Sequence, residues 1–161
     1  MHLSNSENPQ VHDFDFLFGR WTVSHRRLRE RHVGSDDWVE FGGTADTRGL
    51  LGGISNIEEH VMDAPGESGI ALRTLDLVRN LWSIRWVSSR DGLLQPPVHG
   101  GFEGSVGRFE GDDVDGGRPV RMRYLWHRIT PTSARWEQAF STDGGGSWET
   151  NWIMDFTRMA S

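Results

Sequence analysis

The sequence predicts an all-β protein, a single antiparallel up-and-down β-barrel of about nine or ten strands with a short N-terminal helical cap. Three observations carry this. No segment longer than about ten residues holds apolar positions at a sustained helical spacing. Many short runs rich in Val, Ile, Trp, Phe and Thr alternate in polarity. Clusters of Gly, Asp, Asn, Ser and Pro separate those runs by only a few residues, so sequence neighbours should pair as hairpins.

The helical piece is His12 to Phe18, placed to cap an open end. Candidate strands follow at Trp21–Glu30, Trp38–Thr47, Ile54–Met62, Ile70–Leu77, Leu81–Ser88, Phe102–Phe109, Val120–Ile129, Ser133–Thr142 and Ser147–Arg158. Between them stand turn signals such as Gly34-Ser35-Asp36, Ala64-Pro65-Gly66, Asp112 to Gly117 and Asp143 to Gly146. An open meander of this length would leave two Trp- and Phe-rich edges free to aggregate, so closure is favoured. Residues 1–10 read as a loose tail and 11–161 as one domain.

Composition bounds the function. A chain of 161 residues and 18.3 kDa fits one core. With 35% hydrophobic residues, eight Trp and eight Phe, it is expected to be neither a disordered tail nor a membrane protein, and no stretch of 18 apolar residues offers a spanning helix. The net charge of −6 argues against a nucleic-acid partner, and no membrane partner is expected. All 17 basic residues are Arg; the absence of Lys excludes Schiff-base chemistry and a Walker lysine. The absence of Cys excludes disulfides, thiolate nucleophiles and Cys-ligated metals. The polar N-terminus lacks a basic, apolar leader pattern, so a cytoplasmic location is expected.

Hairpin pairing sets a register for the last three strands. A turn at Thr130–Thr132 puts Trp126 opposite Trp136, Tyr124 opposite Gln138 and Met122 opposite Phe140. A turn at Asp143–Gly146 puts Phe140 opposite Trp148, Gln138 opposite Thr150 and Trp136 opposite Trp152. The resulting aromatic face, which also holds Met154 and Phe156, is expected to line the lumen. Arg121, Arg123, Arg135, Glu137, Glu149, Asn151 and Asp155 form the solvent face. Leu125 and Ile153 break this pattern.

The Gly-x-Trp of Phe18-Gly19-Arg20-Trp21, together with Asn151-Trp152-Ile153-Met154-Asp155-Phe156-Thr157-Arg158, resembles the calycins, the superfamily of lipocalins and fatty-acid-binding proteins. The resemblance implies an Arg from the last strand over the Trp of the first, a cation–π contact that seals the barrel floor. Phe14 to Trp21, Leu51 to Glu59, Pro96 to Gly100 and Trp136 to Ser141 further resemble the DUF1579-like calycins, a bacterial family of unknown function, over residues 12–159. The wider superfamily holds carriers, haem-binding nitrobindins and some cofactor-free enzymes, so the resemblance implies a fold more than a function.

Seven His are scattered without His-x-His or His-Glu-x-x-His spacing, and neither a metal nor another cofactor is expected. By the resemblance to nitrobindin, His60 or His127 would be the haem ligand, but the register puts His127 outside. Asn56, Glu58 and His60 alternate on one strand. If they face inward, desolvation would raise the Glu58 pKa and suit Glu58 and His60 to acid–base catalysis. The more apolar Ile57 and Val61 compete for that inward face. Tyr124, Gln138 and Thr150 are polar members of an apolar face and need partners. His25 and Arg27 share the inward phase of Trp21, where Arg27 suits an anionic group; a solvated rim is the alternative. Gly100 to Gly107 lacks a following helix and reads as turns, not a phosphate loop.

The function expected is binding of a small apolar or aromatic molecule in an aromatic cavity. The ligand-binding residues would be His25, Arg27, Asn56, Tyr124, Trp126, Trp136, Gln138, Phe140, Thr150, Trp152 and Met154. The alternatives are a cofactor-free isomerase or cyclase using Glu58 and His60, and a haem protein. A homodimer is a further expectation if Trp82 and Trp86 face outward.

Overall fold

A computed structural model of the chain, describing residues 8–64 and 66–160, holds ten antiparallel strands among those residues. They are β1 (Gly19–Leu28), β2 (Trp38–Leu50), β3 (Ser55–Met62), β4 (Ser68–Asp76), β5 (Leu81–Ser88), β6 (Val98–Glu103), β7 (Val106–Asp115), β8 (Arg118–His127), β9 (Ser133–Ser141) and β10 (Glu149–Arg158). Each strand pairs with its sequence neighbours and β10 returns to β1, so the barrel is closed and no edge is left free. The barrel is of the expected up-and-down, antiparallel kind. Within the described residues no helix is long and apolar enough to cross a membrane.

Two glycine-rich stretches differ from the sequence expectation. The candidate strand Phe102–Phe109 straddles a hairpin, because Glu103 pairs with Val106 and the chain turns between them. Strand β6 was hidden by its glycines, which ordinarily weaken a strand. Here Gly100 is needed, since a Cβ on it would lie 1.9 Å from the Arg108 carbonyl oxygen on β7. The second case is Asp112 to Gly117, expected to be a turn throughout. Strand β7 instead runs on to Asp115, and Gly116 and Gly117 alone make the turn, with φ of 59° and 81°.

The lower end of the barrel is sealed from sequence-local parts. The expected helical cap is two 3-10 turns, Pro9–His12 and Asp15–Leu17, which bury Val11, Phe14 and Leu17. The Asn8 side chain accepts the Gln10 N–H at 3.0 Å and caps the first. The tail expected over residues 1–10 lies outside the described residues up to residue 7. Trp21 donates its indole N–H to the Leu17 carbonyl at 2.9 Å. Arg158 lies 4.2 Å over the Trp21 ring, the contact implied by the calycin resemblance. Its guanidinium also donates to the Phe18, Phe16 and Pro131 carbonyls at 2.6, 2.7 and 3.0 Å, tying β10 to the cap. Arg158→Ala is therefore expected to cost about 2 kcal/mol. Chemical denaturation with unchanged m-value checks it.

The register of β8 on β9 is the expected one: Trp126 opposes Trp136, Tyr124 opposes Gln138 and Met122 opposes Phe140. The β9–β10 register is not. Trp136 opposes Met154, Gln138 opposes Trp152 and Phe140 opposes Glu149, with a register shift between Thr150 and Trp152. The extra residue, Asn151, is a β-bulge that reverses the facing of everything before it. Thr150 consequently opposes Ala139, in the outward phase. Trp148 stands outside under Arg123, whose guanidinium carbon is 4.5 Å from the indole centroid. Leu125 and Ile153 both oppose Glu137 on the outer wall. Trp82 is fully buried and Trp86 lines the lumen, so the outward aromatic pair proposed for a dimer does not exist.

Candidate functional site

Strand β3 turns its polar residues inward. Asn56, Glu58 and His60 are buried, while Val61 is 54% exposed, so the apolar pair Ile57 and Val61 does not occupy the inner face. The reason lies one strand away. Arg73 on β4 shares the inward phase of Ala71 and Leu75 and is itself buried. Its guanidinium donates to Asn56 Oδ1 at 2.9 Å and to Glu58 Oε1 at 3.0 Å. His60 Nε2 donates to the same Glu58 oxygen at 2.8 Å, and Thr47 on β2 donates its hydroxyl to Oε2 at 2.9 Å. Three side chains from three strands thus surround one carboxylate, the condition under which a buried charge is tolerated.

This network reverses the expected chemistry of Glu58. Burial alone would push its carboxyl up, but the Arg73 charge, His60 and the Thr47 hydrogen bond outweigh burial and hold the pKa down to about 2. Both oxygens are engaged, so Glu58 is a fixed anion near neutrality rather than a proton donor. Its role is to hold Arg73 and His60 in place.

A second group sits on β1. His25 is fully buried, stacked on Phe41 with 4.5 Å between centroids, and its Nδ1 accepts the Trp152 indole N–H at 3.0 Å. Burial, with the like charges of His60 and Arg27 adding to it, lowers its pKa to about 3. The ring is neutral, and the accepting role of Nδ1 puts its one proton on Nε2. Arg27 lies 4.1 Å over the Trp152 ring and donates to Glu67 at 2.9 Å. The anion expected for Arg27 is thus supplied by the protein.

These walls enclose an inner chamber of about 40 Å³, lined by Glu58, His60, Arg73, Trp86, Tyr124, Trp126, Trp136, Gln138, Trp152, Met154 and Phe156 among others. That is room for a few waters. Trp86, Tyr124, Gln138 and Trp152 also border a vestibule of about 240 Å³, where Arg27, Arg31, Phe140 and Asn151 lie. Chamber and vestibule are therefore adjoining. Trp86 reaches this position because Gly69 has no side chain; a Cβ there would lie 2.2 Å from the indole. Gln138 donates to Asn151 Oδ1 at 2.8 Å, linking the bulge to the wall. Burial pushes the Tyr124 hydroxyl pKa up, so it stays a neutral phenol.

Of the expected ligand-binding residues, Tyr124, Trp126, Trp136, Gln138, Trp152 and Met154 line the chamber, and Arg27 and Phe140 the vestibule. His25 and Asn56 stand behind this lining, holding Trp152 and Arg73. Thr150 takes no part in either space. Arg73, Thr47 and Trp86 were missed. The alternation Ala71, Arg73, Leu75 places Arg73 in phase with a buried face, and a buried Glu58 demands a cation. Haem does not fit: His60 spends Nε2 on Glu58, His127 is paired with Glu137 on the outer wall, and the chamber is far too small for a porphyrin. No cluster of three or more His, Asp or Glu suited to a metal occurs among the described residues.

The fold and chamber define a closed, ten-stranded antiparallel barrel with an aromatic interior. No known protein family matches the chain, and no curated protein does. Among solved structures, that of EF1p2_mFAP2b bound to DFHBI is similar at 10% identity and a TM-score of 0.47, over 93% of this chain and 99% of that one.

Proposed function

We propose that this chain binds a small, largely apolar or aromatic molecule, inserted from the vestibule toward the inner chamber. The observation that carries the reading is that the two spaces adjoin, sharing Trp86, Tyr124, Gln138 and Trp152 in their walls. An aromatic inner pocket thus lies directly beside a more open mouth. Together the spaces suit a ligand of one or two fused rings. The ionised, fully engaged Glu58 favours binding over acid–base turnover. The resemblance to DUF1579-like calycins belongs with this reading as kinship proposed on sequence motifs, as does a cytoplasmic setting.

Native mass spectrometry of protein isolated from its own host is the test. A retained low-mass aromatic compound, released on unfolding, is the expected result. Protein that carries nothing and gains no mass in a panel of one- and two-ring aromatics contradicts the reading.

A further inference from the structure

Two residues that line the inner chamber carry polar hydrogens that the protein does not use. Trp126, 1% exposed, lines the chamber, and its indole Nε1 has no hydrogen-bond partner among the described residues. Arg73, 2% exposed, lines it as well, and its Nε is likewise without a partner. The two residues come from β4 and β8, yet the guanidinium carbon lies 5.7 Å from the Trp126 ring centroid. The two side chains that carry the unused donors are therefore neighbours in the chamber wall. A buried donor left unmatched costs about 1 to 3 kcal/mol, so a guest that accepts from it is selected over one that cannot.

The same geometry decides the charge of the accepting group. Both terminal nitrogens of Arg73 are engaged, one by Asn56 and one by Glu58. No guanidinium fork is left to clamp a carboxylate. The Arg73 charge is already matched by Glu58 in direct contact, and a second anion would enter the chamber beside that carboxylate. We infer that the buried end of the ligand is a neutral hydrogen-bond acceptor, a carbonyl oxygen or ring nitrogen on a flat apolar frame, received by Trp126 Nε1 and Arg73 Nε. This rests on the proposal that the chamber is a binding site, and goes beyond it by naming the group recognised.

A matched series on the unaltered protein tests it: indane, 1-indanone and 1-indanecarboxylate, titrated by calorimetry near neutral pH. 1-Indanone is expected to bind roughly tenfold more tightly than either of the others, one hydrogen bond's worth of selectivity. It alone is expected to move the Trp126 indole N–H proton resonance downfield. Equal affinity for indane and 1-indanone, or a preference for the carboxylate, overturns the inference and leaves the binding proposal standing. A downfield shift absent at saturating 1-indanone overturns it as well. Failure of all three to bind at millimolar concentration overturns both.

Discussion

Glu58→Ala is expected to destabilise the folded protein by about 3 to 5 kcal/mol, because it strands the buried Arg73 charge. It also removes the shared acceptor of His60 and Thr47. Truncating one member of a buried pair costs more than the pair contributes, so the double replacement Glu58→Met with Arg73→Met should recover much of the loss. Urea denaturation of the two single variants and the double variant gives the coupling directly. The wild type carries the same signature in its pH dependence. Glu58 falls from an ordinary value of 4.5 to about 2 on folding. A depressed carboxylate contributes stability that is fully present above pH 4.5 and is lost as pH falls toward 2. That contribution amounts to about 3 kcal/mol. In Glu58→Ala this part of the acid limb should be missing.

His25→Phe is expected to alter an earlier window. In the wild type the folded state holds His25 neutral until about pH 3, whereas the unfolded chain takes up its proton near 6.5. Stability from this group is therefore whole above pH 6.5 and declines as pH falls toward 3, at up to about 1.4 kcal/mol per pH unit. Phenylalanine keeps a flat ring against Phe41 and cannot titrate, so the variant should show a flatter stability profile across this window. At neutral pH it should be less stable by about 1 to 2 kcal/mol, since the Trp152 indole loses its acceptor. Denaturation midpoints measured from neutral to acid pH check both parts. A parallel profile for variant and wild type would refute the assignment of His25 as a buried neutral ring.

What could be read from the sequence follows from what alternation encodes. The β8–β9 pairing was legible because both strands keep strict period two on either side of a short Thr130–Thr132 turn, so Trp126 falls opposite Trp136 without further information. The β9–β10 pairing was not, because one extra residue at Asn151 leaves the composition unchanged and reverses the phase before it. Thr150 and Trp148 were misplaced for that reason alone. The inward facing of Asn56, Glu58 and His60 was hidden differently. Local alternation weighs each residue against its own strand, where Ile57 and Val61 look better suited to a core. The cation that makes Glu58 acceptable inside is Arg73, seventeen positions away from Asn56 and delivered by the adjacent strand. Alternation records burial preference, but not the partner that overrides it.

The vestibule and the adjoining chamber, walled by Trp86, Trp136 and Trp152 among others, are proposed to admit a small flat guest. A crystal structure determined after diffusing 1-indanone into the crystals decides the matter. Electron density for the ring system is expected in the vestibule and chamber, its carbonyl directed at Trp126 and Arg73. Density confined to the outer wall, or an interior unchanged at saturating 1-indanone, would contradict it.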